Sequence, residues 1–466
     1  MAEALHVDDA LIERMAVSGP RYTSYPTAPE WSDDFGPDDA WAAIDRAAAR
    51  ADEPLTLYVH LPFCERLCLY CGCTVEIRGK KSFADTYLDA VEREIALVSE
   101  RLGGRRTLAQ MHWGGGTPTF LSCAQLERLH GMLSSAFTFA PDAERSLEVD
   151  PHVTTPEQVD LLFDLGFNRV SMGVQDLDPA VQAAVRRDQT EDDTARLIAQ
   201  CRARGADGIN VDLMYGLPGQ TEAGFAGTLE RVAAWKPDRL AVFGYAHVPW
   251  MKPAQKALEK LDMPSPALRA RLFGLALEAL GAAGHEVIGL DHFALPTDSL
   301  AQALHAGTLH RNFMGYATAP AEDMVAFGMS AIGELGGAFL QNARTTAEYQ
   351  AALSAGRLAT IRGLNRDAED ELRRAAILSI MCRMHLDLDE LGARFGRDDL
   401  AQHFTTEWTE LAPFTELGLC TLTDRRLDVT PTGRLFLRHM AMPFDAYLRK
   451  RRTDGAPDAP RFSKTL

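Results

Sequence analysis

The feature that most constrains the fold of this chain is a rhythm. From residue 55 to about 300, short β-branched or apolar runs end in Gly, Asp or Pro turns and are followed by longer helical patterns. The runs are "LTLYVHLPF", "LAQMHWGGG", "RSLEVDP", "NRVSMGVQD", "GINVDLMYGLPG", "DRLAVFGYAH" and "HEVIGLDHFA". Amphipathic segments lie between them, as at Ser82 to Leu102 and Pro156 to Leu165. Such alternation predicts βα units around a parallel sheet, because parallel neighbours need a crossover long enough to hold a helix. Six or seven units without a GxGxxG fingerprint point to a barrel-like (βα) arrangement rather than a dinucleotide-binding sheet. Chemistry then collects in the loops at the C-terminal strand ends. The clustered cysteines, "GGGT", Glu148 with Asp150, Gln175, Asp212 and Ala246 with His247 all fall at or just after a run's end. They are expected to converge.

The segment "YVHLPFCERLCLYCGCTVEI", Tyr58 to Ile77, holds four of the chain's eight cysteines within ten residues. Cys64, Cys68 and Cys71 follow C-x3-C-x2-C, and Cys73 comes one residue later. A closed zinc site needs four ligands, commonly in two separated pairs, and no second CxxC or HxxxH lies nearby. A redox CxxC leaves Cys64 unexplained. Three thiolates on one loop suit a [4Fe–4S] cluster with one iron free of protein ligands and able to chelate a small molecule. Cys73 as a fourth ligand would close that iron. Its spacing makes joint ligation awkward without excluding it. In "GGGTP", Gly114 to Pro118, the missing Cβ atoms let backbone N–H groups approach a ligand. The scattered Cys123, Cys201, Cys382 and Cys420 read as small buried apolar residues.

C-x3-C-x2-C after a first strand, with aromatic Tyr70 just before the third cysteine, resembles the radical S-adenosylmethionine (SAM) superfamily. The resemblance tightens over nearly the whole chain, from about Ser18 to the terminal "FSKTL". "SGPRYTSYPTA", "CxxCGC", "HWGGGTPT", "EVDP", "NRVSMGVQD", "NVDLMYGLPGQT", "YAH", "DHFA" and "HRNFMGY" are similar to the oxygen-independent coproporphyrinogen III oxidase family. That resemblance implies an α/β fold, a partial (βα) TIM-like barrel of the radical SAM type. An N-terminal extension and a mainly helical C-terminal domain would flank it. The boundaries expected are 1–50 for a segment covering the active site, 51–355 for the catalytic barrel, and 356–466 for a helical, winged-helix-like domain and tail.

The resemblance also implies roles for individual residues. Cys64, Cys68 and Cys71 match the cluster ligands, and Cys73 the extra cysteine that the family requires without using it as a ligand. Tyr58, Tyr70 and Gly72 match SAM contacts, as do Gly115, Gly116 and Thr117 of the glycine loop; Glu148 matches a carboxylate beside the ribose or methionine portion. Gln175, Arg187, Asp212, Ala246 and Ile332 match further positions, because the family binds two SAM molecules. The implied reaction converts two propionates of coproporphyrinogen III to vinyl groups, giving protoporphyrinogen IX in heme biosynthesis through a 5′-deoxyadenosyl radical. It needs a reductant and an electron acceptor that the sequence does not identify. Strand-end carboxylates suit ribose hydroxyls or an ammonium, and Arg187 suits a carboxylate. Arg21, with Tyr22 and Tyr25, is expected to cover the tetracarboxylate substrate. Where the family commonly reads "RNFQGY" this chain has Met314, which puts any amide contact there in doubt.

The remaining features set the context. Of the 466 residues, 46% are hydrophobic and 24% charged, as in a soluble globular enzyme. The net charge of −17 disfavours nucleic acid and anionic membranes as partners. The start lacks a signal-peptide pattern and no run spans a bilayer, so a cytoplasmic enzyme is expected, with monomer as the default. The basic run "LRKRR", Leu448 to Arg452, reads as a solvated tail. Helical patterns from Asn365 to Leu411, then the hairpin "LCTLTDRRLDVT", resemble a winged helix with a lid or docking role. Two competing readings stand beside the enzyme. A heme chaperone of the same superfamily would typically carry Phe two residues after the third cysteine and lack "PRYTSYPT". An electron carrier would need a fully ligated cluster.

Overall fold

The computed structural model describes residues 9–15, 17–318, 323–453 and 462. The chain forms two compact units. The first comprises Trp31–Leu213 with Ala321–Asn365; the second comprises Met1–Glu30, Met214–Pro320 and Arg366–Leu466. The "FSKTL" end, apart from Phe462, lies outside the described residues.

The βα rhythm is realised in the first unit. Strands Leu55–Leu61, Thr107–Gly115, Thr138–Val149, Arg169–Gln175 and Gly208–Tyr215 run parallel in that order. Met324–Phe327 lies parallel on the far side of Leu55–Leu61. It leads into an antiparallel meander of Ile332–Leu335, Ala338–Asn342 and Thr360–Asn365. Among the described residues of this unit no strand pairing joins the two ends of the series, so the barrel is partial. Helices cover the sheet, which makes its strands nearly continuous apolar runs. Leu55, Leu57 and Val59 are fully buried, while Tyr58 and His60 alternate to the opposite face.

The crossover helices start where local chemistry dictates. Ser122, Thr155 and Thr190 each accept the backbone N–H three residues on, and Gln125, Gln158 and Asp193 return the favour to the cap's N–H. Each cap fixes where a loop must end, and so how much chain remains at the strand's C-terminal end to form a site.

The second unit departs from the rhythm. "HEVIGLDHFA" is not one parallel strand: Glu286–Gly289 and His292–Ala294 form an antiparallel hairpin, with His292–Ala294 antiparallel to Arg239–Gly244. Leu290 at its turn takes a positive φ of 47°. The expected C-terminal hairpin is present, pairing Cys420 with Val429. A third strand, His385–Asp387, adds to it from inside the stretch read as helical. With helices Ala368–Leu378, Leu388–Phe395 and Thr405–Glu416 this gives the winged-helix-like pattern. "LRKRR" is no solvated tail. It lies in the helix Ala446–Thr453, where Arg449 Nη1 stands 2.9 Å from Oε1 of the buried Glu407.

Candidate active site

The cysteine loop leaves the end of strand Leu55–Leu61 and is stapled to the glycine loop that ends Thr107–Gly115. Gly116 N–H donates to Leu61 O at 2.8 Å, and Thr117 N–H donates to Phe63 O at 2.9 Å. Gly115 sits at φ 110°, a conformation that favours glycine, and a Cβ there would lie 2.5 Å from the His60 ring. A Cβ on Gly116 would be 2.7 Å from Phe63 O. Gly115 and Gly116 are therefore demanded by the close approach of the strand Leu55–Leu61 and the loop that follows it.

All of the cysteines in the loop are free thiols. Cys64 Sγ lies 3.6 Å from Thr117 Oγ1, and Arg187 Nη1 donates to Cys68 Sγ at 3.8 Å. Burial, then the nearby Cys71 and Cys68, push the Cys64 thiol up to about 12. Such a thiol becomes a thiolate only beside strong positive charge, as iron supplies. Among the described residues no group of three or more His, Cys, Asp or Glu is gathered to hold a single metal ion.

Two sets of side chains flank this loop. In one, Tyr58 O–H donates to His60 Nδ1 at 3.0 Å, while His60 Nε2 lies 2.9 Å from Thr74 O. Because that carbonyl only accepts, Nε2 carries the imidazole proton and Nδ1 is the acceptor. Tyr58 also stacks on His112, with ring centroids 6.1 Å apart. His112 Nε2 lies 3.7 Å from Glu148 Oε1, and Gly115 N–H donates to Glu148 Oε2 at 3.0 Å. Removal from water opposes ionisation of Glu148, but the His112 and Gly115 contacts win and hold it below the usual carboxylate range. Asp212, bonded by Asn210 Nδ2 at 2.7 Å, behaves oppositely. Burial first and the Glu148 charge second raise it to about 7.

In the other set, Gln175 adopts a left-handed φ of 70° at its strand end. A Cβ on Gly173 would meet Gln175 Nε2 at 2.9 Å and Arg187 Nη2 at 3.3 Å, so Gly173 seats both. Arg187 donates to Tyr70 Oη at 3.1 Å and to Gly173 O, and lies 3.6 Å from Asp150. Thus the fold brings Tyr58, Gly115 and Glu148, with Asp212 beside them, into one group and Cys68, Tyr70, Gln175 and Arg187 into another. Gly72 has open space around its Cα, Cys73 is exposed, and Ile332 is half-buried at the start of its strand.

Ala246 belongs to the second unit, where its carbonyl accepts from Gln255 Nε2 at 3.3 Å. So do Arg21, Tyr22 and Tyr25. Tyr22 O–H donates to Asp445 Oδ2 at 3.2 Å, and Tyr25 Oη accepts from Ala446 N–H at 3.1 Å. Both rings are buried in that unit's core, leaving Arg21 as the accessible one of the three. Met314 occupies a hairpin turn in which its own N–H donates to Asn312 Oδ1 at 2.9 Å, so the backbone there is satisfied without an amide side chain. His60 and His112 were missed as site residues. The signal was present: His60 shares the face of Tyr58 two residues on, and His112 is paired in register with Tyr58.

Residues 58–232 match the Radical SAM superfamily, and residues 367–436 match the HemN C-terminal domain. With the parallel sheet, the three thiols and the glycine cradle, these matches define a radical SAM protein. The chain is 42% identical to the oxygen-independent coproporphyrinogen III oxidase of Pseudomonas aeruginosa, over 96% of this chain and 97% of that protein. It is equally similar to the Escherichia coli K12 enzyme of that name, over 95% and 96%. A solved structure described as coproporphyrinogen III oxidase (HemN) from Escherichia coli, a radical SAM enzyme, superposes with a TM-score of 0.89 at 41% identity, covering 96% of this chain and all of the other. The chain belongs to the oxygen-independent coproporphyrinogen III oxidase family.

Proposed function

We propose that this chain oxidatively decarboxylates two propionates of coproporphyrinogen III to vinyl groups, giving protoporphyrinogen IX, with two SAM molecules as cofactors. The observation that carries this reading is the stapled pair of loops, with free Cys64, Cys68 and Cys71 against the Gly115–Gly116–Thr117 cradle, in a chain 42% identical to enzymes of that name. When bound, the [4Fe–4S] cluster and SAM supply an adenosyl radical that takes hydrogen from an unactivated C–H bond.

Cys64, Cys68 and Cys71 hold the cluster, and the exposed Cys73 stays outside the ligand set. Tyr58, Tyr70, Gly72, Gly115, Gly116, Thr117 and Glu148 contact SAM; Gln175, Arg187, Asp212, Ala246 and Ile332 complete the two sites. Ionised Glu148 accepts from an ammonium or a ribose hydroxyl, while Asp212, raised to about 7, can also donate near neutrality. Arg187 supplies fixed positive charge beside Cys68 and Tyr70. Arg21 faces the substrate, with Tyr22 and Tyr25 anchoring its segment through Asp445 and Ala446. We further propose a cytoplasmic monomer. The net charge of −17 supports its independence of nucleic acid and anionic membrane. Among the described residues no helix is long and apolar enough to cross a membrane.

Equilibrium binding of SAM to the reconstituted protein tests the stoichiometry. Two molecules per chain are expected, and one would overturn the paired sites. Replacing Cys64, Cys68 or Cys71 by Ala should abolish stable cluster assembly, whereas Cys73→Ala should leave the iron content unchanged.

A further inference from the structure

The second unit carries three strand-end motifs, "MYGLPG", "VFGYAH" and "LDHFA". Together they help to build a cationic cavity of about 40 Å³. Arg21, Arg438, Tyr215 and Asp291 are on its polar side, with Phe273 and Leu290 among its apolar walls. One water needs roughly 10–15 Å³, so the space matches about three to four heavy atoms, enough for a carboxylate group.

The charges around it are unbalanced in one direction. Asp291 takes His292 Nδ1 at 2.8 Å on one oxygen and Arg21 Nη1 at 3.3 Å on the other. Burial opposes its ionisation, yet His292, Arg21 and Arg311 hold it far below the usual carboxylate range. Arg438 is buried and donates to Gly19 O at 3.4 Å. Arg269 donates to Tyr245 O at 3.0 Å, but its buried Nε has no partner among the described residues. Arg311, 4% exposed, lies 4.5 Å over the Tyr316 ring, with Nε and Nη1 also without partners among the described residues. Arg21, Arg311 and Arg438 thus act on one carboxylate, and Arg269 adds its charge beside Arg21, an arrangement that a second anion relieves. Glycine makes it possible. A Cβ on Gly216 would lie 3.1 Å from Arg269 Cζ, and one on Gly244 would lie 2.9 Å from Tyr215 Oη.

We propose that this cavity binds one propionate carboxylate of the tetrapyrrole, with Arg21 and Arg438 as its ligands and Arg269 and Arg311 supplying the field. The proposal rests on the reading of coproporphyrinogen III as substrate. A methionine carboxylate has the same chemistry, so the test must separate the two sources.

The experiment uses reconstituted holoenzyme and the unreactive tetracarboxylate coproporphyrin III as a fluorescent probe, with its tetramethyl ester as control. Arg21→Gln and Arg438→Gln should each weaken coproporphyrin binding about tenfold or more, the loss expected for a charge-assisted hydrogen bond. Ester binding, SAM affinity and iron content should not change. Arg21→Lys, which keeps the charge, should recover most of the affinity. Coproporphyrin affinity within twofold of wild type in both Gln variants overturns the proposal, as does a fall in SAM affinity in its place. Should Arg438→Gln fail to fold, Arg21→Gln decides alone, since that side chain is 33% exposed. Wild-type turnover of coproporphyrinogen III is measured alongside. Its absence indicts the substrate reading, whereas turnover with unaltered variant affinities indicts only the cavity.

Discussion

Gly116→Ala is the sharpest perturbation of the stapled loops. The new Cβ would stand 2.7 Å from Phe63 O and 2.8 Å from Leu61 O, both backbone atoms that cannot rotate away. Relief requires the loops to part, which strains or breaks the Gly116–Leu61 and Thr117–Phe63 hydrogen bonds. Two backbone bonds at about 0.5–1.5 kcal/mol each, with overpacking of roughly 1–3 kcal/mol, give a cost of about 2–6 kcal/mol. A domain of this unit's size shifts by roughly 2–4 °C per kcal/mol, so melting should fall by about 4–24 °C. Because the same bonds position Cys64, cluster occupancy by iron analysis and absorbance should fall too. Gly72→Ala is the matched control. Nothing lies within 4 Å of its Cβ, so melting should not move, and only SAM binding should respond. A Gly116→Ala protein that melts within about 1 °C of wild type and assembles a full cluster would refute the stapling argument.

The other expectations concern charge. Arg187→Lys keeps the cation but loses the fork shared by Tyr70, Gly173 O and Gln189. SAM affinity should fall about tenfold or more, with an altered cluster spectrum, and unaltered values would remove Arg187 from the site. Glu94 is buried, accepting from Gly328 N–H, Asn342 and Tyr349. Burial raises it from 4.5 to about 7. The folded state therefore binds this proton more tightly than the unfolded chain does. Its contribution is full below about 4.5 and lost as pH rises through about 7, a change on the order of 3 kcal/mol. Glu94→Gln should flatten that window in melting against pH. Asp323→Asn removes the carboxylate that pairs with buried Arg105 and with Arg50, and should cost roughly 3–5 kcal/mol in thermal or denaturant unfolding.

The chemistry of the site was more legible in the sequence than its neighbourhood. Cysteine spacing and strand-end glycines are local, so Cys64, Cys68, Cys71 and Gly116 stand out before any fold is known. "NRVSMGVQD" and "GINVDLMYGLPG" became the strands Arg169–Gln175 and Gly208–Tyr215 because parallel strands buried on both faces must be apolar. "RSLEVDP" hid the first half of its strand, which begins at Thr138, because "TFAPDAE" contains a proline and an aspartate. The "HEVIGLDHFA" hairpin was hidden because an apolar run does not reveal the direction of its partner. The roles of Tyr22 and Tyr25 were hidden for a different reason. Their hydroxyls are engaged by Asp445 and Ala446, some 420 residues away, and no local pattern announces such a pairing.

The central claim is tested most directly by anaerobic turnover. Reconstituted protein is supplied with a reductant, SAM and coproporphyrinogen III, together with cell extract as electron acceptor, and the products are separated by chromatography. The account predicts protoporphyrin and 5′-deoxyadenosine appearing together. Deoxyadenosine without protoporphyrin would contradict the substrate while sparing the radical chemistry. Neither product, from protein with an intact cluster, would contradict the enzyme itself and favour a heme-binding role.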